Sequence, residues 1–394
     1  MESIIKQKID LIAECIFAKL QKNEEKSFGL YSGEFGILLF LFYYSKYSKN
    51  KEHILLTENY AEKLLEQFVK KEKLHTFCNG FSGILYLFEF LRENDFIDLD
   101  VNEIQPQLDN YLVFRMKQDI QRLHYDFMHG ALGVGLYFLK KRTNSEYIQE
   151  LVDFLYVTAE KEADDQIFKW KSVISIEKNI VGYNIALSHG MTSIIIFLCR
   201  VIKSGIHNEK VVKMLSGAIN YILAQQIDFS HGSCFPYYLS EISSSSVSKS
   251  RLAWCYGDLG VGIALWQAGI IVEKIEWKEK GFEIMLQSTQ RRSFDETYVR
   301  DAGICHGSTG ITMIYHRMYL ETGRDEFKEA TLFWIDQTLN HSHFADGLAG
   351  YKSFVIDGWE CDYSLLMGIS GIGLVLLSYL EDNQQKWDEM FLLS

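Results

Sequence analysis

The chain has 394 residues, 47% hydrophobic and 23% charged, with a formal net charge of −12. That apolar share excludes a disordered chain, and the acidic balance excludes a nucleic-acid binder, which needs a basic surface to neutralise phosphates. Two prolines, Pro106 and Pro236, suit long helices better than a turn-rich β-sandwich. Seven scattered cysteines (15, 78, 199, 234, 255, 305, 361) are an odd number. They fit free thiols or metal ligands in a reducing compartment rather than a disulfide framework.

The first residues, MESIIKQKIDLIAECIFAKLQK, space apolar positions as a helix does and interrupt them with charge. They lack the apolar core and cleavage site of a signal peptide. The most apolar run, FGILLFLFYY, is about half of what spans a bilayer. The expectation is a cytoplasmic protein without a transmembrane segment.

From there one sentence is written seven times. It reads YSGEFGILLFLF at Gly33, CNGFSGILYLFEF at Gly80, MHGALGVGLYFL at Gly130 and SHGMTSIIIFL at Gly190. It continues as CYGDLGVGIALW at Gly257, CHGSTGITMIY at Gly307 and MGISGIGLVLLSYL at Gly368. The first glycines stand 47, 50, 60, 67, 50 and 61 residues apart, and a second glycine follows three positions on except in the fourth, which has Ser193. Such glycines permit positive φ or close backbone approach where a turn feeds a helix. After each turn comes a mostly apolar run, then an amphipathic stretch such as TENYAEKLLEQFVKK or SEYIQELVDFLYVTAEKEA. An all-round apolar helix is buried and an amphipathic one covers it. The period therefore predicts seven helix hairpins in one all-α domain over residues 1–394. A closed ring, with the apolar helices inside, is favoured over an open superhelix because no terminal unit is plainly a polar cap. The stretch 226–252, with Pro236 and a serine-rich middle, breaks the rhythm and reads as an inserted loop.

GALGVG and GDLGVG are not dinucleotide fingerprints, since they neither follow a strand nor sit in a βαβ unit. The residues just ahead of the first glycines carry more. Equivalent turns of a ring lie at one end, so side chains there converge, and metal-liking types gather late: His189, Cys255, Cys305 and His306. Two thiolates and one imidazole form a Cys₂His set, and three protein ligands with an open fourth position are the pattern of a catalytic zinc. Taken alone, a cysteine is more often a small core residue. Cysteines at equivalent turns of adjacent repeats favour ligation. Such a zinc would hold a substrate thiol as thiolate, whereas a free thiol with a pKa of about 8.5 is mostly protonated at neutral pH. Water activation is the other use of zinc. His189, Asp126, Arg251 and Tyr256 are candidates to move protons nearby. Their structural alternatives are a satisfied turn histidine, an ion pair and a wall residue. His124, His129, His341 and His343 read as structural.

Seven glycine-rich repeats with WCYG in the fifth and CHG in the sixth resemble the lanthionine synthetase C-like proteins, from Tyr31 to Leu377. The resemblance implies an α/α toroid of seven helix pairs. It also implies a cyclase that adds cysteine thiols of a lantibiotic precursor to dehydroalanine or dehydrobutyrine, closing thioether rings. It makes Cys255, Cys305 and His306 the ligands of one zinc per chain. His189 falls at the family's acid/base histidine and Asp126 at an aspartate of proton handling. Arg251 and Tyr256 match polar residues near the metal. Which of His189 and Asp126 gives and which takes stays open, and Ser193 is expected to loosen or reshape the turn that carries His189. With no dehydratase region in the sequence, the implied partners are the dehydrated precursor peptide, a separate dehydratase and an export transporter at the inner face of the membrane. The alternative is a non-catalytic member that binds zinc and thiols such as glutathione. A toroid glycosidase or prenyltransferase would want paired carboxylates or another metal pattern.

Overall fold

The computed structural model describes all residues except 23–26, 72–73, 99–104, 144, 176–179, 207, 230–231, 241–248 and 382–385. The serine-rich middle of the 226–252 insertion thus lies outside the described residues. Fifteen helices carry the fold among those described. They are α1 (Glu2–Leu20), α2 (Glu34–Ser48), α3 (Lys51–Lys71), α4 (Phe81–Glu93), α5 (Gln105–Gln121), α6 (Ala131–Lys141), α7 (Ser145–Thr158) and α8 (Met191–Lys203). The rest are α9 (Glu209–Leu223), α10 (Asp258–Ile271), α11 (Ile275–Ser288), the single turn α12 (Phe294–Thr297), α13 (Ser308–Thr322), α14 (Asp325–Asn340) and α15 (Ile369–Glu381). Their contacts gather into two compact units, Met1–Asp100 with Val299–Trp387, and Val101–Tyr298 with Asp388–Ser394.

The two helix types of the repeat are present as expected. Helix α2 is buried on every side from Glu34 to Ser45, as its unbroken apolar run requires. Helix α9 buries Val211, Met214, Leu215, Ala218, Ile219 and Ile222, a 3–4 spacing that makes one stripe, and starts on Asn208, whose side chain accepts the Lys210 N–H at 2.9 Å. In the first unit α3 covers α2 and α14 covers α13, while α4, α2, α15 and α13 pack in that succession. In the second unit α7 covers α6, α9 covers α8 and α11 covers α10. The seventh pair departs from the expectation. Buried helix α15 is covered by α1, the amphipathic helix at the other end of the sequence. Ile5, Ile9, Ile12 and Ile16 of α1 are fully buried, each contributing about 1.5–3 kcal/mol.

A backbone relay runs through the turns. In the first unit the Cys305 N–H donates to the Leu366 carbonyl (3.0 Å), Leu366 to Tyr31 (2.9 Å) and Tyr31 to Cys78 (2.9 Å). All four stand two residues ahead of a first glycine. Within this unit the seventh turn is thus bonded to the first.

The glycines serve close approach more than positive φ. Of the helix-leading glycines, Gly257 has a φ of 92°, but Gly33, Gly80, Gly130, Gly190 and Gly307 are extended. The turn closes on itself instead. The Phe81 N–H donates to the Leu74 carbonyl (3.0 Å), and a Cβ on Gly80 would lie 2.4 Å from that oxygen. At Gly83 the added Cβ would meet the Phe77 carbonyl oxygen at 1.8 Å. Gly83→Ala is therefore expected to cost about 3 kcal/mol, the upper range for overpacking. A denaturation midpoint equal to the parent's would show that this turn gives way freely.

Two expectations are corrected. Ser193 does not reshape the fourth turn: Gly190, at φ −137° and ψ −162°, matches its counterparts, because the Ser193 hydroxyl is absorbed by a hydrogen bond to the Gly190 carbonyl at 2.7 Å. The amphipathic stretch after the third repeat is helical only to Thr158. A hairpin of β1 (Glu160–Glu162) and β2 (Ile167–Lys169) follows, then β3 (Ser172–Ser175) and β4 (Ile180–Asn184), with β5 (Tyr238–Ser240) from the insertion pairing antiparallel to β4. The insertion is thus partly strand. A last hairpin, β6 (Ser353–Val355) with β7 (Gly358–Glu360), follows α14. No helix among the described residues is long and apolar enough to cross a membrane.

Candidate active site

In the second unit, the third, fourth and fifth turns bring together most of the residues singled out by the sequence. Asp126, four residues ahead of Gly130, accepts the His129 backbone N–H on Oδ1 (2.7 Å) and meets His189 Nδ1 with Oδ2 (2.7 Å). Burial pushes the Asp126 carboxyl up, but the His189 hydrogen bond and charge, with the His129 N–H, outweigh it and hold the group below the usual carboxylate range. Burial alone pulls His189 down, yet the bond to Asp126 and its negative charge more than offset this and raise the imidazole. An ionised carboxylate only accepts, so His189 Nδ1 carries the proton and Nε2 is left for chemistry. The His129 ring lies parallel to that of His189, centroids 5.7 Å apart and planes 15° apart.

The fourth turn is tied to the fifth. Leu187 and Ser188 donate their N–H groups to the Cys255 carbonyl (3.1 and 3.3 Å), and the Ser188 hydroxyl does so at 3.3 Å. Beside Cys255, the Trp254 indole is fully buried and donates to the Phe391 carbonyl (2.8 Å), so residues 388–394 anchor the WCYG turn from behind. Arg251 and Tyr256 meet through Tyr237, which sequence reasoning missed. The Tyr237 hydroxyl accepts the Arg251 N–H (3.0 Å) and Nε (3.3 Å), and its ring stands edge-on to Tyr256 at 5.5 Å. Asp126 and Arg251, considered above as an ion pair, each have other partners.

The insertion that brings Tyr237 is held at both ends by one buried ion pair. Asp258, the residue after Gly257, accepts the Cys234 and Phe235 N–H groups on Oδ1, both at 3.0 Å, and Arg291 Nη1 on Oδ2 at 3.0 Å. Arg291 also donates to the carbonyls of Ser250 and Glu296.

Cys305 and His306 belong to the first unit. His306 Nε2 stands 3.6 Å from Oδ2 of Asp301, a fully buried carboxylate fixed by the N–H groups of Gly303 (3.1 Å) and Phe354 (2.8 Å). Among the described residues no three His, Cys, Asp or Glu side chains stand grouped to enclose a metal ion. The donor chemistry nonetheless fits one. Two thiols and an imidazole are a set zinc takes, and a carboxylate behind the far ring nitrogen is how metal-bound histidines are oriented.

Paired buried and covering helices, each buried one entered through a glycine turn, with one cysteine in the fifth turn and one in the sixth and an aspartate-anchored histidine in the fourth, define a class of protein. The model of the lanthionine synthetase C-like proteins matches residues 24–392, and the chain belongs to that family. It is 22% identical over 428 aligned positions to the nisin biosynthesis protein NisC of Lactococcus lactis subsp. lactis, across 99% of this chain and 95% of that protein. The solved structure of a nisin cyclase superposes with a TM-score of 0.77 at 20% identity, covering 99% of this chain and 97% of that one. That likeness shows the fold class expected from the repeats, the all-α, α/α-toroid class.

Proposed function

We propose that the chain is a zinc-dependent lanthionine synthetase that closes thioether rings in a dehydrated lantibiotic precursor. The observation that carries the reading is the Asp126–His189 pair, held in the turn bonded to Cys255, in a chain of this family. Cys255, Cys305 and His306 would hold the metal, which supplies a lowered pKa to a bound substrate thiol. The sulfur attacks the β-carbon of dehydroalanine or dehydrobutyrine, and the displaced π electrons form an enolate. His189, protonated and held by ionised Asp126, delivers a proton from Nε2 to the α-carbon. Asp126 is the anchor and not the acid, since its carboxyl stays ionised. Arg251 and Tyr256, locked by Tyr237, offer donors to the polarised amide carbonyl. The precursor comes from a separate dehydratase and the product leaves through an export transporter, so the protein works in the cytoplasm beside the membrane.

Mixing the purified protein with a dehydrated, cysteine-containing precursor peptide tests this directly. Loss of free thiol without change of mass is expected, and persistence of the thiol with zinc bound sinks the reading. His189→Asn is expected to keep zinc yet slow ring closure by about 10²–10⁴-fold. An unimpaired rate removes His189 from the mechanism.

A further inference from the structure

We infer that Asp301 is a positioning residue for His306, holding its ring so that Nδ1 is the nitrogen that takes the metal. The inference deepens the cyclase reading above and rests on its assignment of His306 as a zinc ligand. That assignment leaves open which edge of the imidazole binds and what holds the ring.

The Asp301 side chain has no solvent contact, whereas that of His306 keeps 20% of its surface, and Asp301 Oδ2 stands 3.6 Å from the ring's Nε2. A buried carboxylate is costly unless it is hydrogen-bonded and its charge is balanced. Among the described residues its ion-pair partner is His306. The other contacts fix the carboxylate in place. Oδ1 accepts the Gly303 N–H at 3.1 Å, and Oδ2 accepts the Phe354 N–H of β6 at 2.8 Å. The Asp301 carbonyl accepts the Ser308 N–H at 3.0 Å, at the start of α13. One residue thereby joins the CHG turn, the helix that follows it and the β6–β7 hairpin. The glycine after His306 leaves room for this contact, since a Cβ on Gly307 would lie 2.4 Å from Asp301 Oδ1.

That arrangement tells the two ring nitrogens apart. Nε2 faces a carboxylate that only accepts, so an N–H is what it can offer there. The 3.6 Å separation is an ion-pair distance, longer than a hydrogen bond. A cation on Nδ1 makes the Nε2–H a stronger donor toward the carboxylate. In metal-bound histidines the partner of one nitrogen decides that the other is metallated. The side sealed by Asp301 is also the wrong one for chemistry, because an open metal position must be reached by a substrate thiol. A ring free to swing would pay side-chain entropy on binding metal, and the fixed carboxylate removes that freedom beforehand.

The test loads the purified chain with zinc and reads its histidines by NMR of isotope-labelled ring nitrogens. The imidazole that responds to zinc is expected to carry the metal on Nδ1 and a proton on Nε2. Asp301→Asn, with its fold checked by circular dichroism, is expected to bind zinc about 10–100-fold more weakly in competition with a chelator. Metal on Nε2 of the parent overturns the inference, whether or not the variant folds. So does an Asp301→Asn chain with a lower melting temperature but unchanged zinc affinity, the mark of a purely structural carboxylate. A parent that binds zinc through Nδ1 yet consumes no thiol of a dehydrated precursor keeps the inference and brings down the cyclase reading. A parent that takes up no zinc brings down both.

Discussion

Replacing Cys305 with alanine is expected to strip zinc from the protein, taking it from about one equivalent per chain to far less, and to abolish ring closure. Removing an outer-shell partner of a metal ligand already costs roughly 10–100-fold in affinity, and losing a ligand itself costs more. Cys305 is half-buried at a turn fixed by its own N–H to the Leu366 carbonyl, so alanine leaves the backbone in place and removes only the sulfur. Elemental analysis of the purified variant, with circular dichroism to confirm the fold, gives the answer. Full zinc retention refutes the ligand assignment for Cys305, and with it the thiol-activating role.

The second large effect concerns stability. Arg291 and Asp258 are essentially without solvent contact, and Arg291 ties together the insertion, the start of α10 and the turn at Glu296. Arg291→Ala leaves the Asp258 carboxylate buried with two backbone N–H groups and no cation. Breaking one side of a buried pair typically costs about 3–5 kcal/mol, so the urea midpoint should fall accordingly. Activity should fall as well, because the Ser250 carbonyl loses its partner one residue before Arg251. A variant as stable as the parent would mean that the strand and turn contacts hold the insertion without this pair.

The repeats were legible because the first glycine of each turn is required for a steric reason that any side chain violates, as at Gly80. Part of the candidate site was legible where residues stand one or two places ahead of a first glycine, as with His189 and Cys255, whose turns the structure bonds to each other. His129 shares the offset of His189 and was read as structural, since nothing in one sequence says which of two equivalent histidines an aspartate will bind through its ring. Tyr237 and the Asp258–Arg291 pair were missed because they join segments far apart in sequence. The strands after α7 did leave a trace. Phe168 and Trp170 are buried and alternate with Lys169 and Lys171, a period of two inside a chain otherwise written in turns of 3.6. The partner of α15 left none, because an amphipathic stripe does not name the face it will cover.

That last pairing has a consequence for how the protein is made. Helix α1 is synthesised about 350 residues before α15, the buried helix it covers. At ~5–20 residues per second, the delay between them is on the order of half a minute. Throughout that time Ile5, Ile9, Ile12 and Ile16 lack the surface that buries them, while the helices of the second unit already have their own partners. The nascent chain therefore carries a sticky amphipathic segment until its end has been translated. Anything that shields that stripe during synthesis governs how much of the protein reaches its finished state.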